Sequence, residues 1–108
     1  MWIHLNDAFL SVVAHRTDPG VLLVRARVSG DIERVFPDAE VAETPTADYR
    51  FRAVLPRAVV GAALVSRLSS IKYDNFKNSV AEDDRHDAYA DCWLAMRRFQ
   101  LVSEGVMA

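Results

Sequence analysis

The chain has 108 residues, 51% hydrophobic and 26% charged, with a formal net charge of -2 and a single cysteine, Cys92. That length makes about one domain, able to bury roughly two thirds of its unfolded surface without disulfides or a structural metal. The charge balance argues against coating nucleic acid by bulk electrostatics, the lone cysteine fits a reducing compartment, and no stretch approaches the roughly 18 apolar residues of a membrane span. The opening MWIHLNDAF also lacks the basic start and long apolar run of a signal peptide, so a soluble cytoplasmic protein is expected.

In chain order, FLSVVAHR from Phe9 is rich in strand formers and stops at Thr17-Asp18-Pro19-Gly20, and VLLVRARV resumes at Val21. The pair reads as a β-hairpin. In its second strand Leu22, Val24, Ala26 and Val28 alternate with Leu23, Arg25 and Arg27, giving an apolar face and a face that turns basic. Ser29-Gly30-Asp31 begins a short helix, about IERVF, which Pro37 stops. Residues 40–44 suit a short edge strand, TPTAD a turn, and Tyr49 to Leu55 another strand, in which Arg50 and Arg52 again back an apolar face.

Pro56 opens a second helix, with Val60, Ala63, Leu64, Leu68 and Ile71 at helical spacing. The polar stretch KYDNFKNSVAEDD follows, and then a third helix capped by Asp83 or Asp84, with Tyr89, Cys92, Trp93, Met96, Phe99 and Gln100 on one stripe. The spacing predicts a core stripe laid on the sheet, with Cys92 as a small core residue. No linker or repeat divides the chain. The expected architecture is one α+β domain over residues 1–108, a small antiparallel sheet with helices packed on one face, in the order ββαββαα.

Arg25, Arg27, Arg50 and Arg52 form a candidate anion site if they share a sheet face, because the planar guanidinium fork suits phosphate or carboxylate. Pairing with Asp31, Glu33, Glu40 or Glu43 on a wet sheet explains them as well. In the connection, Tyr73 and Phe76 are expected to point inward as anchors, with Lys77 and Arg85 outward and His86 at the rim. Arg85, His86 and Tyr89 sit at helical neighbour spacing and suggest acid-base chemistry, yet no serine or cysteine nucleophile is tied to them by spacing. A hydrogen-bonded, partly buried His86 is the plainer reading. His4, His15, His86 and Cys92 show no ligand spacing for a metal, and no glycine-rich phosphate loop or dinucleotide fingerprint is present. No cofactor and no metal are expected.

Through LLVRAR, GDIERVF, ADYRFR, YDNFK and RHDAY with Trp93 after it, the chain resembles a group of short uncharacterised proteins from bacteria and their phages. The resemblance covers nearly the whole length and implies a self-contained domain, with no catalytic residues to carry over. Small phage proteins of this kind often block host defence, as anti-CRISPR inhibitors do. The leading expectation is therefore a non-enzymatic binding protein, in the way of a counter-defence inhibitor, whose partner is a host defence complex or a small regulatory ligand. The alternative is a nucleotide- or RNA-binding module that uses the basic sheet face, with Tyr49 or Tyr73 stacking a base. An enzyme built on Arg85, His86 and Tyr89 ranks last.

Overall fold

A computed structural model describes residues 1–107. Five strands form one antiparallel sheet: β1 Trp2–His4, β2 Phe9–Ala14, β3 Val21–Ala26, β4 Ala42–Glu43 and β5 Phe51–Pro56, in the spatial order β1-β2-β3-β5-β4. The helices are α1 Asp31–Val35, α2 Arg57–Ser69 and α3 Asp83–Ser103, with a 3-10 turn at Lys77–Ser79. This is the expected α+β class and order with one addition. Strand β1 has three residues, too few for alternation to reveal.

The predicted hairpin is β2-β3, with Val12 opposite Val24 and Ser11 opposite Arg25. Its loop is held by side chains, since Asp18 Oδ1 accepts from the Gly20 N–H at 2.8 Å and His15 Nδ1 accepts from the Asp18 N–H at 3.1 Å. The Arg57 N–H in turn donates to the Gly20 carbonyl at 3.1 Å, which fastens the loop to the start of α2. Pairing of β3 with β5 sets Val24 opposite Ala53 and Arg25 opposite Arg52. Alternation then sorts the sheet into two faces. Leu10, Val12, Val24, Ala26 and Ala53 line the inner face, where Ile32 and Phe36 of the α1 region and Val60 of α2 complete the core.

Helix α1 starts from Gly30, whose φ of 91° is a left-handed conformation that glycine adopts without a Cβ penalty. The next residue, Asp31, is fully buried and bridges two elements: Oδ2 accepts from the Phe9 N–H at 3.0 Å and Oδ1 from Arg34 Nη1 at 2.9 Å. A buried carboxylate is tolerated only with such donors. Arg67 of α2 grips both carboxylate oxygens of Asp7 at 2.7 and 3.2 Å and also donates to the Arg34 carbonyl, which ties α2 to the β1-β2 turn and to α1.

By contacts the chain divides into two compact units, Met1–Lys72 with the sheet, α1 and α2, and a second that begins at Tyr73 with the 3-10 turn and α3. The boundary falls in the polar stretch after α2. In the second unit Phe76 stacks on Tyr89 with ring centroids 5.7 Å apart, and Tyr89 is buried. The expectation that α3 carries a core stripe is corrected further along: Trp93, Met96 and Phe99 are 52%, 62% and 65% exposed, and Cys92 is exposed too. A 21-residue helix runs well past the three-residue turn that is its partner element in this unit, so only the part near Tyr89 is capped by it. Among the described residues no helix is long and apolar enough to cross a membrane.

Candidate binding site

On the outer face of the sheet a cross-strand row runs Trp2, Ser11, Arg25, Arg52, Ala42. Arg25 and Arg52 thus stand directly opposite each other on two central strands, an arrangement of like charges that costs stability. Neither makes an ion pair with a carboxylate among the described residues. Arg25 Nη2 donates to the buried Ser11 hydroxyl at 2.8 Å, and its guanidinium lies 4.4 Å from the centre of the Tyr49 ring. Its Nε is sealed from solvent with no acceptor. Arg52 makes one long bond, from Nε to the Tyr49 carbonyl at 3.4 Å.

The other two arginines are taken up locally. Arg27 donates to Asp48 Oδ1 at 2.9 Å and lies 4.1 Å from the Tyr49 ring centre, while Arg50 pairs with Glu43 at 2.8 Å. The hydrogen bond to Asp48 is the main reason that the Arg27 pKa is raised, and the same bond holds the Asp48 carboxyl below its ordinary value. Both partners of each pair are well exposed. The expectation that Tyr49 stacks a base meets a ring already buried against two guanidiniums. Trp2 went unnoticed in the sequence, yet it is 71% exposed on this face, edge-on to Phe9 at 6.5 Å. His4 lies against Phe9 with centroids 4.6 Å apart, and burial lowers its pKa.

In the second unit the candidate residues separate. Lys77 is half-buried, with its Nζ 4.4 Å over the Trp93 ring. Arg85, expected to point outward, is instead 7% exposed with Nε 3.4 Å from Glu82 Oε1. It lies one helical turn before the buried Tyr89, and the apolar stem of an arginine can be covered while its head finds acceptors. His86 is partly exposed, with Nδ1 3.7 Å from Asp87 Oδ1. Tyr73, expected to be buried, sits edge-on to Phe76 at 5.8 Å and stays exposed. Beyond these, Trp93, Met96, Arg97, Phe99, Gln100 and Ser103 share an open face of α3.

No His, Cys, Asp and Glu cluster suited to a metal ion occurs among the described residues. No protein-family model, curated protein or solved structure matches the chain.

Proposed function

We propose that the chain is a non-enzymatic binding protein that engages another protein through the exposed apolar face of α3, in the manner of a counter-defence inhibitor of the anti-CRISPR kind. The observation that supports this reading is the exposure of Trp93, Met96 and Phe99 on one helix stripe. Large aromatic and methionine side chains left in water are costly, and they are the residue types that anchor protein interfaces. Arg97 on the same face favours a partner that sets a carboxylate beside its own apolar anchors. The experiment is quantitative capture of a defence complex purified from the host, by wild type and by Met96→Ser with Phe99→Ser. A loss of at least about tenfold in affinity, some 1.4 kcal/mol, at unchanged melting temperature is expected. Equal capture by both, or none by wild type, defeats the reading.

A second reading, nucleotide or RNA binding by the outer sheet face, is supported by the opposed Arg25 and Arg52, neither of which makes an ion pair with a carboxylate among the described residues. Retention of a nucleotide or an RNA by the purified protein, released on denaturation, is its test.

A further inference from the structure

The row Trp2, Ser11, Arg25, Arg52 puts an exposed aromatic ring, a buried serine and two guanidiniums that make no ion pair among the described residues on one sheet face. Strands are spaced about 4.8 Å apart, so Trp2 lies roughly 10 Å from Arg25 and 14 Å from Arg52 along the row. We propose that this row is a nucleotide subsite, with the phosphate held between Arg25 and Arg52 and the base stacked on Trp2. The inference rests on the second reading above and assigns its parts to named side chains.

Each part follows from a feature the fold leaves unsatisfied. Two like charges directly opposite one another repel, and a phosphate placed between them turns that repulsion into attraction on both sides. Arg25 is already oriented by Ser11 Oγ and by the Tyr49 ring. Its orphaned Nε–H gains an acceptor when an anion draws the guanidinium outward and is gripped side-on, through Nε and an Nη together. Arg52 carries one weak bond, through Nε, among the described residues. Arg27 and Arg50 are held by Asp48 and Glu43, so the site is two arginines wide rather than four. That matches one phosphate group better than a tract of them. The indole of Trp2 is the open π surface on this row, and stacking there tolerates any base. Arginine alone would take any small anion; the neighbouring tryptophan is what selects a ligand with a base beside its phosphate.

The chain has two tryptophans, so Trp93→Phe leaves Trp2 as the reporting fluorophore. Adenosine monophosphate and a short single-stranded oligoadenylate are titrated separately against this protein, each also in competition with inorganic phosphate. Saturable quenching of Trp2, relieved by phosphate, is expected. Arg52→Gln should weaken binding at least about tenfold without lowering the melting temperature, and Arg25→Lys, which keeps the charge and loses the fork, should weaken binding as much. Calorimetry on Trp2→Ala should show a loss of about tenfold or more. Tighter binding of the oligomer, with affinity falling steeply as salt rises, assigns the ligand to an RNA chain; equal affinity assigns it to a free nucleotide. Binding that survives Arg52→Gln and Trp2→Ala overturns this subsite while sparing the second reading, and absence of binding by either ligand overturns both.

Discussion

Helices α2 and α3 carry apolar stripes of similar periodicity and are covered to different extents. In α2, Val60 is buried and Ala63 and Leu64 pack against the sheet's inner face, whereas Leu68 and Ile71, expected on the same stripe, are exposed where the helix runs out beyond the core. In α3, Tyr89 is buried, and four residues on Trp93 faces water, followed by Met96 and Phe99. The difference is what each unit supplies. The sheet gives α2 a surface five strands wide, whereas the unit of α3 supplies one short turn ahead of it. Periodicity reports that a helix has an apolar side, and only the neighbouring elements decide whether that side is covered.

The comparison breaks first at the core. Leu10→Ala, at a fully buried site, should cost about 2 to 5 kcal/mol in urea melts, a large share of a small domain's stability. Asp31→Ala comes next, with an expected loss of about 1 to 3 kcal/mol, because the Phe9 N–H and Arg34 lose a buried acceptor. Trp93→Ala on the exposed stripe should cost less than about 1 kcal/mol, chiefly its stacking with Lys77. A Trp93→Ala loss equal to that of Leu10→Ala would show that α3 is covered in solution, and light scattering would then tell whether by a second copy. The smallest effect belongs to His4. Burial lowers its pKa from the ordinary 6.5, so the unfolded chain takes up the proton first as the pH falls. Stability present above pH 6.5 is therefore lost as the pH drops through the folded value, and His4→Gln should flatten that part of the pH profile of the melting temperature.

The strands from Phe9 onward were legible because alternation and turn residues agree there, as in VLLVRARV after Asp18-Pro19-Gly20. Strand β1 was not, since Trp2, Ile3 and His4 are too few to show a period and are fixed by pairing with Phe9, Leu10 and Ser11. Of the candidate site, the alternation of the arginines was readable, but their partners were not. Arg25 opposite Arg52 is a matter of register between segments some 27 residues apart, and register is set by the whole sheet. The burial of Arg85 was invisible for a related reason. Charged residues are almost always outside, so sequence alone assigns them there.

The two outermost strands are the shortest in the sheet, β1 with three residues and β4 with two. A sheet edge recruits a foreign strand through its row of unpaired backbone groups, and such short edges offer too few rungs to template one. Growth of the sheet sideways, the route to fibrils and to strand-donating partners, is thereby blunted on both sides. Any partner of this unit must be read by side chains. Its arrival would shift the side-chain signals of the outer face and leave amide exchange along β1 and β4 nearly as it is in the free protein.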